Sequence, residues 1–306
     1  MGLRTIYDPG GISVRLRLVK AAGRRYIPCG GQVTPAVKEL RMKSKLIVVG
    51  AAGRMGRRIV ALAMESGRFE IVGAVEKADN PETGKDAGLV AGGERLGLVL
   101  SDSWPAGADV AIDFSSPEAA DNTVEQCVKN GTPLVIGTTS LAVEQQDAIK
   151  AAAVKIPIIY GTNMSVGMNV LFSLVGKVAA MLGEEYDIEI IEEHHRFKKD
   201  APSGSALTLA QNICKATGRP YPDSLTPGRS GKDALRKKGE IGMHAVRAGD
   251  ITGVHSVIYG TLGETITLNH TAHSRDTFVR GALRAAQWLL HNPPALYAMS
   301  DVLGIK

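Results

Sequence analysis

From Lys45 onward, five short apolar runs alternate with helical stretches, and this alternation constrains the fold more than any other feature of the chain. The runs are Lys45–Gly50 (KLIVVG), Glu70–Glu76 (EIVGAVE), Val110–Phe114 (VAIDF), Pro133–Gly137 (PLVIG) and Ile156–Tyr160 (IPIIY). The spacing predicts helices near 54–66, 117–130 and 141–153. Continuous β-branched runs separated by helices indicate strands buried on both faces, hence a parallel sheet. Right-handed crossovers then give an α/β, Rossmann-like, doubly wound domain.

The pattern changes after about residue 164. A long helix is expected over 167–182, followed by Asp187–Glu193 (DIEIIEE), where apolar and acidic residues partly alternate as on a half-exposed strand. A helix is expected near 205–217, then a polar stretch rich in Gly and Pro at 218–242. Residues 252–260 and 264–272 read as a hairpin around Leu262-Gly263-Glu264. This predicts a second α+β domain with a mixed or antiparallel sheet. A last helix over 277–291 is placed to return and cover the first sheet. The expected division is 42–163 plus 277–306 for the first domain and 164–276 for the second. A length of 306 residues suits about two domains.

Composition matters mainly through where the charge sits. The formal net charge is +5, but residues 1–44 hold nine Lys/Arg against two Asp/Glu. The rest of the chain is close to neutral, so a nucleic-acid partner inferred from overall basicity would be poorly founded. Residues 1–41 lack sustained periodicity and read as a disordered leader, or as the product of a start placed upstream of Met42. An Arg-rich, acid-poor start can also be a transit peptide, although serines and threonines are few. No run approaches the roughly 20 apolar residues of a membrane span. Three scattered cysteines, Cys29, Cys127 and Cys214, argue against a disulfide scaffold and fit a reducing compartment.

The first strand runs into Gly50-Ala51-Ala52-Gly53-Arg54-Met55-Gly56, a G-x-x-G-x-x-G relative of the dinucleotide fingerprint. Glycine lets the backbone turn sharply and approach a pyrophosphate. The helix behind it offers free N–H groups and a positive dipole end. Glu76 ends the next strand, where a carboxylate can accept from a ribose hydroxyl. Glu76 favours NADH, while Arg54 and Lys77 could accept the 2′-phosphate of NADPH, so both cofactors are expected to be usable. Gly137-Thr138-Thr139-Ser140 and Gly161-Thr162-Asn163-Met164 follow two more strand ends, where ligands bind in such sheets. Their hydroxyls could instead simply cap helices.

The densest chemistry lies in Glu192-Glu193-His194-His195-Arg196-Phe197-Lys198-Lys199-Asp200-Ala201-Pro202-Ser203-Gly204-Ser205. Clustered cations cost stability unless an anion or acids compensate. The helix start at Pro-Ser-Gly-Ser is itself suited to an anion. One reading is a pocket for a small carboxylate- or phosphate-bearing molecule with a proton donor alongside. The other is a solvated basic loop before a capped helix. Adjacent residues on a strand face opposite ways, so His194 and His195 are poorly placed to share a metal. The sequence also holds no HExxH or CxxC, and no metal is expected.

With these segments in view, the sequence resembles the dihydrodipicolinate reductase family over about residues 45–304. EEHHRFKKDAPSGSA at 192–206 is similar to the family signature. GAAGRMG at 50–56, DFSSP at 113–117, GTTS at 137–140, NMSVGMN at 163–169 and VRAGDITGVH at 246–255 recur in family order. The resemblance implies NAD(P)H-dependent reduction of 4-hydroxy-tetrahydrodipicolinate in the diaminopimelate route to lysine. It also implies a cytoplasmic homotetramer assembled through the second domain, with hinges near 163–166 and 275–279. By the same resemblance, His194 is the proton donor and Lys198 the catalytic lysine, and His195, Gly204 and Ser205 bind substrate. Gly50, Ala51, Ala52, Gly53, Arg54, Met55, Glu76, Lys77, Gly137, Thr138, Thr139, Gly161, Thr162, Asn163 and Met164 fall on cofactor-binding positions. Ser205 replaces the usual threonine. Lys77 stands where some members have arginine, which offers a bidentate fork that lysine lacks. Two rivals stay open beside this resemblance: another two-domain dehydrogenase acting on a small acid, and a catalytically silent NAD(P)-binding protein.

Overall fold

Side-chain parity on the first strands decides which helices cover them. In the computed structural model, which describes residues 5–7, 13–15 and 42–305, Ser44–Val49 forms β3 and Val110–Asp113 forms β5. Leu46, Val48, Val110 and Ile112 enter one core, while Ile47, Val49 and Ala111 enter another on the opposite face. Both faces are therefore buried, as continuous apolar runs require. With β4 (Phe69–Val75), β6 (Leu134–Ile136), β7 (Ile158–Tyr160) and β13 (Leu296–Tyr297), they make a six-stranded sheet of order β13-β7-β6-β5-β3-β4. Every pairing in it is parallel.

Helices α1 (Arg54–Ser66), α7 (Asp276–Leu289) and α8 (Met299–Leu303) supply one of these cores. Helices α3 (Pro117–Asn130) and α4 (Val143–Ala152) supply the other. The last long helix thus returns to the first sheet, as expected from the sequence. A one-turn helix, α2 (Ala87–Val90), lies between β4 and β5 and is capped by Asp86. It is too short to leave a periodic signal.

The second sheet has five strands in the order β12-β11-β8-β10-β9. Strands β8 (Asp187–His194), β9 (Leu225–Pro227) and β10 (Ile241–Arg247) pair in parallel, whereas β11 (Val254–Thr261) and β12 (Glu264–Thr271) are antiparallel. The mixed sheet was expected, but β10, which lies beside β8, has no counterpart in the sequence reading. Helices α5 (Val166–Leu182) and α6 (Gly204–Thr217) build the core on one face with Ile188, Ile190, Val257 and Tyr259. The Tyr259 hydroxyl donates to the Val175 carbonyl at 2.7 Å, so this buried phenol is satisfied.

In the N-terminal segment, β1 (Thr5–Tyr7) and β2 (Ser13–Arg15) pair antiparallel. The rest of the leader expectation lies outside the described residues. No described helix is long and apolar enough to cross a membrane.

Candidate active site

The turn after β3 is built around Gly50. Its φ of +73° suits glycine, and a Cβ there would sit 2.8 Å from Ser115 Cα. The turn is anchored by the Gly50 and Ala51 amides, which donate to the Val75 carbonyl at 2.9 and 3.1 Å. Gly53 then starts α1 with no side-chain cap. The orphan N–H groups of its first turn are thus left for a ligand or water. Glu76 takes an N–H from Ala52 on one oxygen at 3.0 Å and its neighbour's, from Lys77, on the other at 3.1 Å. Gly50, Ala52, Gly53, Glu76 and Lys77 line one cavity of about 470 Å³, with Phe114 and Ser115 across from them.

A second cavity of about 460 Å³ shares Gly53, Phe114 and Ser115 with the first. Arg54 and Met55 line it, as do the loops Gly137–Thr139 after β6 and Gly161–Met164 after β7. From the second sheet come His194, His195, Lys198 and Ser205. The cleft therefore brings the glycine turn and the basic segment together. Of the catalytic, substrate-binding and cofactor-binding positions expected from the sequence, only Ala51 and Gly204 line neither cavity. Arg54 faces the second cavity, away from the one that holds Glu76 and Lys77.

The hydroxyls of the two loops are not helix caps. Helix α4 starts from Ala142, and α5 is capped by Ser165. Thr138 Oγ1 instead lies 3.1 Å from Oδ1 of the fully buried Asp113, and Asp113 also takes the Ser115 amide at 2.7 Å. One carboxylate thereby ties together the loops after β5 and β6. Burial pushes its pKa up against these hydrogen bonds. Asn163 donates to Ser205 Oγ at 3.0 Å, and so links the loop after β7 to the start of α6.

The basic segment is compensated from within. Lys198 pairs with Asp200 at 2.9 Å. His194 Nδ1 lies 2.5 Å from Glu192 Oε2. Strand alternation ends with β8, and both His194 and His195 reach the cavity, contrary to the opposite facing expected of them. Burial lowers the pKa of His195, and the nearby Arg275 and Arg54 lower it further. Ser203 caps α6 by accepting from the Ala206 amide at 3.2 Å. Beneath it, His255 lies 3.1 Å from Ser203 Oγ.

The family model for the N-terminus of dihydrodipicolinate reductase matches residues 44–164, and that for its C-terminus matches 167–303. The chain belongs to the dihydrodipicolinate reductase family. It is 46% identical over 265 residues to the 4-hydroxy-tetrahydrodipicolinate reductase of Syntrophus aciditrophicus, covering 86% of this chain and 99% of that protein. It is 45% identical over 266 residues to the enzyme of the same name from Anaeromyxobacter dehalogenans strain 2CP-1, covering 86% and 98%. Among solved structures it is similar to a dipicolinate-bound dihydrodipicolinate reductase from Paenisporosarcina sp. TG-14. That match has a TM-score of 0.62 and 23% identity, and it covers 85% of this chain and 99% of the other.

For a member of the dihydrodipicolinate reductase family, the cleft fits a dinucleotide on its donor set: an uncapped helix start, a glycine turn without Cβ and a carboxylate beyond it. Sequence reasoning missed several residues around it. Phe114, Ser115, Thr252, Arg275 and Phe278 also line the second cavity, and Glu192, Arg247 and His255 lie beneath it. Ser115 follows a strand end, the same signal that identified the loops after β6 and β7. Thr252 lies within the VRAGDITGVH segment, and Arg275 starts the expected hinge at 275–279, but neither was assigned to the cleft, because the fold alone brings them there.

Proposed function

We propose that this chain reduces 4-hydroxy-tetrahydrodipicolinate to tetrahydrodipicolinate with NADH or NADPH, in the diaminopimelate route of lysine biosynthesis. The observation that carries the reading is the second cavity, where the start of α1 meets His194, His195, Lys198 and Ser205. When bound, a reduced nicotinamide would supply a hydride to ring C4 of the conjugated cyclic imine formed by loss of water, and one proton completes reduction of the carbon–carbon double bond while the C=N bond is kept. The start of α1 holds the pyrophosphate, with Glu76 on the adenosine ribose and the loops 137–139 and 161–164 along the rest of the dinucleotide. Lys77 beside Glu76 is the residue placed to tolerate a 2′-phosphate. His195, Ser205 and the amide of Gly204 receive the dicarboxylate at the N-terminus of α6. His194 or Lys198 delivers the proton, directly or through a water between them.

The division into 42–163 plus 277–306 and 164–276 belongs to the same proposal. It is supported by separate cores, two on the faces of the first sheet and one on the second. Assembly into a homotetramer is supported by Leu262 and Ile266, which are exposed at the edge hairpin of the second sheet. A reducing cytoplasm suits the free, buried thiols of Cys127 and Cys214.

A coupled assay tests the activity. Aspartate semialdehyde, pyruvate and the upstream synthase generate the substrate in situ, and nicotinamide absorbance is followed with NADH and NADPH separately. Oxidation that requires every upstream component is the expected result. Absence of oxidation by folded protein that still binds NADH would refute the reading.

A further inference from the structure

Three residues of β8 alternate onto the face covered by α5 and α6. Two are Ile188 and Ile190, and the third is Glu192, whose side chain is only 1% exposed. A carboxylate in that position is costly unless it is paired. Here every direction is occupied. Arg247, at the end of β10, donates to Glu192 through both terminal nitrogens at 2.8 and 2.7 Å. The Ser203 amide, at the start of α6, donates to Oε1 at 3.0 Å. Across the ladder, Glu192 stands opposite His255 of β11.

The remaining contact is His194 Nδ1 at 2.5 Å. A bidentate arginine keeps the carboxylate charged, and a charged carboxylate only accepts. Nδ1 must then carry the hydrogen. Free histidine in water favours the opposite neutral tautomer, so the protein imposes this one. The ring is also packed edge-on against His255, with centroids 5.1 Å apart. Its Nε2 is on the side of Gly253, where an added Cβ would come within 3.3 Å of it.

We propose that Glu192, held by Arg247, is a positioning residue that fixes His194 with its hydrogen on Nδ1 and its Nε2 free for proton exchange in the cleft. This deepens the proposed reductase reading and rests on it for the identity of the reaction. After giving up an Nε2 proton, His194 is left with its hydrogen on Nδ1, the tautomer that Glu192 already selects. Without Glu192, the ring can flip or exchange tautomers and present Nε2–H when it should be empty. The charged and titratable groups around the ring are Arg247 from β10, His255 from β11, and His195 and Lys198 from the loop after β8. Among the described residues, only Glu192 hydrogen-bonds the ring.

The test uses full-length protein with ¹⁵N-labelled histidine, whose ring tautomers are read directly by NMR. Glu192→Gln leaves the half-buried Arg247 without its carboxylate, so the double variant Glu192→Gln/Arg247→Met, which removes both charges, is measured beside it. The wild type, recorded at a pH where the ring is deprotonated, should show the His194 hydrogen on Nδ1. The variants should show mixed or reversed tautomers, and kcat should fall at least about 10-fold while dinucleotide KM changes less than about 3-fold. A folded double variant that keeps the Nδ1–H tautomer and wild-type kcat would overturn the proposal. Absence of reductase turnover in the wild type would refute the functional reading, and the tautomer spectra would still decide this one.

Discussion

The side-chain amide of Asn163 donates to the hydroxyl of Ser205 at 3.0 Å, across from the loop after β7 to the first turn of α6. A loop proposed to hold the dinucleotide thus touches the helix start proposed to hold the dicarboxylate. Ser205→Ala should raise the KM for the dicarboxylate by about 10-fold, the cost of one hydrogen bond to a charged group. Asn163 loses its acceptor in this variant, so dinucleotide KM should also rise, by less. Steady-state kinetics with each substrate varied in turn would show the split. An unchanged dicarboxylate KM would remove Ser205 from the pocket.

His194→Ala should lower kcat by roughly 100-fold or more, the usual contribution of a positioned general acid, while dinucleotide affinity is largely kept. Lys198→Ala should weaken both turnover and dicarboxylate binding, and it also frees Asp200 from its 2.9 Å ion pair. Burial raises the pKa of Asp200, but the hydrogen bond and charge of Lys198, with a backbone hydrogen bond and the charge of Arg247, together leave a net lowering, so this carboxylate loses two of its stabilising contributions in the variant. Stopped-flow turnover and fluorescence titration with NADH separate the two roles.

Stability should fall on acidification in two overlapping steps. Burial lowers the pKa of His255 from 6.5 to about 3, and the charge of His194 adds to the effect. The unfolded chain therefore binds the proton first, and stability drains away as pH falls below 6.5 toward 3. For Glu192, burial acts upward, but the hydrogen bonds from His194 and Arg247 prevail and bring it from 4.5 to about 2. Its contribution is complete above 4.5 and is lost as pH falls toward 2. One proton is worth at most about 1.4 kcal/mol per pH unit, so His255→Gln should lose about 2 kcal/mol less than wild type between pH 6.5 and 4.5. Chemical denaturation at each pH provides the comparison.

Lys77 is exposed at the rim of the first cavity, whereas Arg54 lines the second. Lys77→Arg should improve kcat/KM for NADPH by several-fold and leave NADH nearly unchanged, because the guanidinium grips a phosphate through two hydrogens. Lys77→Ala should do the reverse. Equal ratios in all three proteins would place discrimination elsewhere in the cleft.

Five strands of the first sheet were legible because they are largely apolar on both faces, as in Leu46, Ile47, Val48 and Val49, whereas the two-residue β13, exposed at Leu296, left no run to read. Strand β10 was not, because after Ile241, Gly242 and Met243 its side chains turn half-exposed or exposed, and it is held by pairing with β8 and β9 rather than by its own pattern. The glycine turn and the His-His-Lys segment were visible as local runs. Glu192 was misleading in sequence: in DIEIIEE it looks like one more surface acid, yet it lies on the core face. Its partner Arg247 is 55 positions away, a separation that no local window spans. Arg275 reaches the cleft only because α7 folds back onto the first sheet.

Glu76 has one further consequence. Its two oxygens hold the amides of Ala52 and Lys77, so the carboxylate is a strap on the glycine turn before it is anything else. A lineage changing its diet of cofactor cannot freely trade this residue, because the exchange that would admit a phosphate also slackens the turn that receives the rest of the molecule. Variation is channelled to the neighbouring position, where an exposed side chain can change at little structural expense. On the proposed reading, a change of cofactor preference would cost less structure at residue 77 than at residue 76, whose carboxylate also holds the turn.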